Sequence, residues 1–205
     1  MSAQPVLLVF VKYPEPGKVK TRLASELGAE TAASLYRDWV GMVLRAVQPV
    51  RPEVRVVGYF DGAPAGRFAE WDQYVDLWLE QPGGALGFRL AAAFDWAYDR
   101  GHPLLAIGTD CLDLNAGHVI SAVNFLRDHE AVFGPATDGG YYLVGTRRHI
   151  PGFFEGVRWS SPHTLADQLA RAHDLGCEYV LLPTLADIDT AADWRAYRER
   201  HCGTP

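Results

Sequence analysis

Lysine is scarce in these 205 residues: Lys12, Lys18 and Lys20 are the only three, and they fall in one nine-residue stretch, whereas sixteen arginines are scattered along the chain. Compact ammonium charges gathered at one place point to a bound anion there, with chance clustering as the alternative. Cysteine is equally sparse. Cys111, Cys177 and Cys202 are odd in number and have no close pair, which excludes a disulfide framework and a zinc knuckle and points to a reducing compartment. No run of about 18 apolar residues occurs, so no membrane span is expected. The apolar stretch from Pro5 to Val11 is too short for a signal peptide and lacks a charged lead-in and a cleavage site, so a cytoplasmic protein is expected. Positive charge is also lacking: a formal balance of −6 argues against nucleic acid or an anionic membrane as partner. The seven histidines show no metal-ligand spacing. What is present is enough for one domain with a real core, since 48% of the residues are hydrophobic.

Along the chain, strand and helix patterns alternate. Pro5 to Lys12 is a continuous apolar run, the pattern of a strand buried on both faces. Helical spacing follows from Thr21 to Gln48, with a break expected at Gly28. Val54 to Phe60 reads as a strand, Ala65 to Trp71 as a short helix, Val75 to Leu79 as a strand, Leu86 to Tyr98 as a helix and Pro103 to Gly108 as a strand. Asn115 is placed to cap a helix reaching Arg127, and Ala131 to Phe133 and Tyr141 to Val144 are short strands around an Asp-Gly-Gly turn. Ser161, with Pro162 at the first helical position, opens a helix to about Leu175, and Glu178 to Leu182 is the last strand. Thr190 and Asp193 make a capping box for a terminal helix. This alternation predicts a mostly parallel sheet covered on both faces, with ligands beyond the carboxyl ends of its strands.

Four segments carry chemistry. Phe10 to Leu23 is a strand leaving a basic loop that contains Gly17 and opens a helix. Amides at that helix start, with Lys12, Lys18, Lys20 and Arg22, would hold a di- or triphosphate; a solvated basic loop is the alternative. The loop is neither a Walker A sequence nor a G-x-G-x-x-G fingerprint, which counts against an ATPase or a Rossmann dinucleotide site. In Leu104 to Leu114, Thr109 would meet the nucleotide, and Asp110 follows it directly after a buried strand, where a carboxylate can hold Mg²⁺ or Mn²⁺ bridging two phosphates. Asp113 reads as a helix cap, and Cys111 as a small buried residue rather than a nucleophile. In Gly134 to Gly145, Gly139 and Gly140 let backbone approach a ligand, and Asp138 could take a proton from an acceptor; an ordinary turn is the alternative. Of Asp187 and Asp189, one could complete the metal site. Weaker signals are Gly84, which would wrap a sugar or base, Arg89, which would face phosphate or else sit on the helix surface, and Trp159, which would stack on an acceptor or else sit in the core.

Together these segments resemble the DUF2064 family, bacterial glycosyltransferase-like proteins of the arsenosugar-biosynthesis type within the nucleotide-diphospho-sugar transferase superfamily. The resemblance covers nearly the whole chain and is most specific at Phe10 to Leu23, Gly108 to Leu114, Gly134 to Gly145 and Asp187 to Thr190. The stretch from Lys12 to Leu23 also looks like the guanylyltransferase that acts on 2-phospholactate and, more distantly, like molybdenum-cofactor nucleotidyltransferases. The resemblance implies a glycosyltransferase-A-like three-layer α/β/α sandwich with a mostly parallel central sheet. It implies a nucleotide half at about 1–114 and an acceptor half at about 115–205. By the same resemblance Lys20 and Arg22 fall at phosphate contacts, Asp110 at the metal aspartate and Asp189 at a second metal carboxylate. The chain departs from the pattern at Leu112, where proline is expected, and it has no strict Asp-x-Asp motif, which leaves a one-carboxylate site open. The leading expectation is transfer of a sugar from a nucleoside-diphosphate donor to a small acceptor. Nucleotidyl transfer from an NTP with loss of pyrophosphate, and nucleotide binding without catalysis, are the alternatives.

Overall fold

The computed structural model describes residues 4–202; the side chain of Cys202 lies outside the described residues. The opening apolar run forms β1 (Val6–Lys12), where Val6 and Leu8 face one layer and Leu7, Val9 and Val11 the other, all five fully buried. Burial on both faces is why the run shows no alternation. α1 (Thr21–Leu27) and α2 (Ala29–Ala46) follow, separated at Gly28, whose φ of 84° a side chain would strain. The remaining elements are β2 (Arg55–Asp61), β3 (Leu77–Glu80), α3 (Leu86–Tyr98), β4 (Leu104–Ile107), α4 (Ala116–Phe125), β5 (Ala131–Pro135), β6 (Tyr141–Thr146), α5 (Thr164–Asp174), β7 (Tyr179–Leu181) and α6 (Ala191–Cys202). The expected helix at Ala65 is a 3-10 helix that runs on to Tyr74, and a further 3-10 turn, Gln48–Val50, follows α2.

The strands form one sheet in the order β3-β2-β1-β4-β6-β5-β7. β1 is parallel to β2 and β4, β2 to β3, and β5 to β7, while β6 runs antiparallel to both β4 and β5. The exception has a local cause. Residues 136–140 close a hairpin between β5 and β6, and a connection that short reverses the chain, whereas a parallel return needs a crossover of a dozen or so residues. Two apolar clusters cover the faces: α1, α2, α4 and α6 on one, α3 and α5 on the other. The result is a three-layer α/β/α sandwich with a mostly parallel sheet.

Capping decides several boundaries. Asn115 caps α4 through Gly117 N at 2.9 Å, and Asp193 accepts from Thr190 N at 2.7 Å at the start of α6. Ser161 does not cap α5, which begins three residues later with His163 at its N-cap. Ser160 has a φ of 55°, and Ser161 Oγ accepts from His163 N at 3.2 Å and donates to Arg158 O, so it serves the turn ahead of the helix. Nor does Asp113 cap α4: its carboxylate pairs with His201 at 2.8 Å and Arg200 at 3.3 Å on α6. No helix among the described residues is long and apolar enough to cross a membrane.

Candidate active site

Parallel strands deliver the residues that follow them to one edge of the sheet. Here the ends of β1, β2, β3 and β4, the β5–β6 hairpin and the segment after β7 surround a cavity of about 590 Å³. It brings together Lys12, Lys20, Arg22, Arg89, Thr109, Asp110, Asp138, Gly140, Trp159 and Asp189. Sequence reasoning passed over Asp61, Gln81, Tyr36 and Tyr141, which also line it. Asp61 ends β2 and stands directly after the strand expected from Val54 to Phe60, so the rule that picked out Asp110 would have found it had it been applied to that strand end as well.

Lys20 is the most constrained of these side chains. Its backbone is left-handed, φ 46° and ψ 49°, which costs a non-glycine residue roughly 1–2 kcal/mol. Its side chain is only 7% exposed, and the ammonium lies 2.8 Å from Asp110 Oδ1, donates to Ile188 O and stands 5.6 Å from the centre of the Trp39 ring. A buried ammonium needs its donors met, and these partners meet them. Asp110, itself half exposed, is held a second time, because its carbonyl accepts from Ile188 N at 3.0 Å. The end of β4 and the segment after β7 are thus tied together through Lys20 and Asp110.

The other cations are less enclosed. Arg22 reaches Asp189 at 3.0 Å on an exposed rim. Arg89 Nη1 lies 2.6 Å from Asp61 and 3.2 Å from Gln81 Oε1, and its Nε donates to the carbonyl of Gly84 at 2.9 Å. Thr109 is buried and shares a 2.9 Å hydrogen bond with Tyr36, whose oxygen also accepts from Lys12 N at 3.3 Å. Thr109 therefore braces the floor of the site. Burial, and then Asp110, push the Tyr36 phenol far above its usual range, so it stays protonated and able to donate. Burial also raises the Cys111 thiol, with Asp187, Asp110 and Asp138 adding to it, which leaves no nucleophilic thiolate.

Four expected ligand residues stand outside the cavity lining. Lys18 is exposed and pairs with Glu15 at 3.0 Å, and Gly17 is exposed beside it. α1 is only seven residues long, too short a stack of peptide dipoles for the helix-start phosphate cradle the sequence suggested. Gly84 contributes its carbonyl to Arg89. Gly139 has a φ of 88°, and a Cβ there would lie 2.2 Å from Pro162 O, so glycine is required by packing against the turn before α5.

The carboxylates suit a hard cation. Among the described residues no group of three or more His, Cys, Asp or Glu side chains could hold a metal alone. Mg²⁺ rarely uses such a cage; it binds one or two carboxylates and takes the rest from substrate phosphates and water. Asp110, half exposed at the cavity edge, could supply one such carboxylate. Asp110 and Asp189 already have Lys20 and Arg22 as counter-charges, at 2.8 and 3.0 Å, whereas burial and then Asp138 raise the proton affinity of Asp187, whose Oδ1 accepts from Thr137 Oγ1 at 3.2 Å. A carboxylate in that condition gains most from a cation.

Comparison with known proteins decides the family. The DUF2064 family, described as an uncharacterized protein conserved in bacteria, matches residues 43–161. The chain belongs to this family. A candidate nucleotide-diphospho-sugar transferase from Desulfovibrio desulfuricans G20 is 32% identical, with 100% of this chain and 90% of that one covered and a TM-score of 0.88. 4-Diphosphocytidyl-2C-methyl-D-erythritol synthase from Anaerococcus prevotii DSM 20548 shares the fold at 9% identity, covering 97% and 99% of the two chains, with a TM-score of 0.64. Rv0371C of Mycobacterium tuberculosis H37Rv, solved in complex with manganese, does so at 16% identity, 96% and 98% coverage and a TM-score of 0.57. No curated protein sequence matches the chain.

In this DUF2064 protein Trp159 stands directly over α3: a Cβ at Gly87 would lie 2.3 Å from its Nε1. Replacing Gly87 with alanine must therefore move Trp159 away from the cavity wall. The expected result is a stability loss of about 1–3 kcal/mol, as for other overpacked sites, together with a shift in tryptophan emission. A variant with unchanged denaturation midpoint and emission would show that the wall is free to move.

Proposed function

We propose that this protein transfers a sugar from a nucleoside-diphosphate donor to a small acceptor with Mg²⁺ or Mn²⁺ as cofactor. The observation that carries the reading is the division of one cavity: its lysines and arginines, Lys12, Lys20, Arg22 and Arg89, come from the nucleotide half, and Asp138 and Trp159 come from the other. The relative from Desulfovibrio desulfuricans supports the donor class. Lys12, Arg22 and Arg89 bind the diphosphate, and Lys20 holds Asp110 in place. Asp110, with Asp187 in preference to Asp189, would hold the metal, which when bound neutralises charge on the leaving diphosphate. Asp138, whose Oδ1 is anchored by Gly140 N at 2.7 Å, accepts the proton of an acceptor hydroxyl. The new bond joins that oxygen to the anomeric carbon; the bond to the diphosphate breaks, and the electron pair leaves with it.

Nucleotidyl transfer needs the same anion site and is the second reading, favoured by the shared fold with the erythritol synthase. Incubation with UDP- or GDP-sugars, Mn²⁺ and an acceptor panel is expected to release nucleoside diphosphate. Release of pyrophosphate from an NTP, with no nucleoside diphosphate from any sugar donor, would replace the first reading by the second.

A further inference from the structure

Trp159 stands on a connection with no regular structure of its own. Residues 147–163 join β6 to α5 without strand or α-helix, and loops of that length in compact domains usually bear function. The backbone turns left-handed there at Gly156, φ 76°, and again at Ser160, φ 55°. A serine holds such a conformation only where its surroundings over-determine it.

The surroundings act through Arg158. Its backbone N and its Nε donate to Asp167 Oδ2 at 3.0 and 2.8 Å, and its Nη2 donates to Oδ1 at 2.8 Å. Its carbonyl in turn accepts from Ser161 Oγ at 2.7 Å. Asp167 lies in the first turn of α5, the helix end that favours a negative charge. The hydrogen bonds from Arg158 hold its carboxyl well below the usual range, down to about 2, so it is ionised throughout the neutral range. Main chain and side chain of Arg158 are thus both tied to the start of one helix.

Trp159, Ser160 and Ser161, which follow Arg158 directly, all line the cavity. The Trp159 ring stands edge-on to Tyr141 with centroids 6.4 Å apart and lies tilted on Phe154 at 6.3 Å. Ring contacts of this kind tolerate sliding, whereas a two-pronged guanidinium–carboxylate pair fixes direction as well as distance. We propose that Arg158 and Asp167 are positioning residues for the acceptor end of the site: their pair fixes the backbone of residues 158–161 and, through it, the place of Trp159 at the cavity wall. The acceptor role of that wall rests on the transferase reading above; the clamp itself rests on the hydrogen bonds.

The test is fluorine NMR of the full-length protein labelled with 5-fluorotryptophan, in which the Trp159 line is assigned among the six tryptophans by Trp159→Phe. Asp167→Ala is expected to shift or broaden that line and to leave in place those of Trp39 and Trp194, which pack on each other in the opposite layer. Arg158→Lys keeps the charge and the backbone donor but loses the fork, and is expected to move the same line; it carries the test if Asp167→Ala does not fold. Because Arg158 is a surface residue, the denaturation midpoints should stay close to that of the parent protein. Affinity for UDP and GDP with Mn²⁺ should be unchanged in both variants. Acceptor-dependent release of nucleoside diphosphate should fall roughly tenfold or more, since misplacement by about 1 Å can lower a rate by about 10²-fold. A Trp159 line unmoved in the folded variants, a Trp159 line that moves only together with those of Trp39 and Trp194, or nucleotide affinity that falls as far as release would overturn the proposal. Failure of the transferase reading shows itself separately, as a displaced Trp159 line in a protein whose parent form releases no nucleoside diphosphate from any sugar donor.

Discussion

Asp110→Asn is expected to lower metal-dependent transfer by about 10²–10³-fold, the usual cost of removing one preorganised electrostatic contact in a site. The substitution keeps an acceptor oxygen for the Lys20 ammonium 2.8 Å away and leaves the backbone bond from Ile188 N untouched. Unfolding free energy should therefore change by only about 1 kcal/mol, within the range of substitutions that remove neither packing nor a cap. The effect should appear as lost dependence of nucleotide affinity on Mn²⁺, measured beside the denaturation midpoint. A variant that keeps the wild-type Mn²⁺ dependence would remove Asp110 from the metal, and one that fails to fold would make it structural.

Lys20→Met separates the two roles from the other side. Methionine fills much of the same volume but cannot satisfy Ile188 O or pair with Asp110, and the residue remains in a strained left-handed backbone. Because Asp110 is half exposed and can recruit water, the stability loss should fall at about 1–3 kcal/mol, the cost of an unsatisfied buried carbonyl, rather than that of a fully buried ion pair. Activity should fall by roughly 10²-fold or more through misplacement of Asp110. Lys20→Arg should not rescue, since a planar guanidinium does not fit a side-chain site 7% exposed and built for a compact ammonium. Equal denaturation midpoints for Lys20→Met and the parent protein would show that the tie between β4 and the segment after β7 does not depend on this side chain.

Local features were legible in the sequence because they depend on neighbours a few residues away. The uninterrupted apolar run of β1, the helix Leu86–Tyr98 with both ends in place, the break at Gly28, the Asn115 cap and the Thr190–Asp193 box all follow from periodicity, backbone freedom or a side chain reaching its own helix start. The rule that chemistry sits beyond parallel strand ends put Asp110 in the cavity. Lys18 misled because its proximity in sequence to Lys20 says nothing of direction: a local pair with Glu15 keeps one lysine in solvent, while the next turns inward. The partners that give the site its character are set by strand order. Lys20 meets Ile188 and Arg22 meets Asp189 across separations of 168 and 167 residues, and no pattern within either segment encodes the other. Only the packed sheet brings them within hydrogen-bond reach, and only there does burial decide which carboxylates are paired with a cationic side chain and which are not.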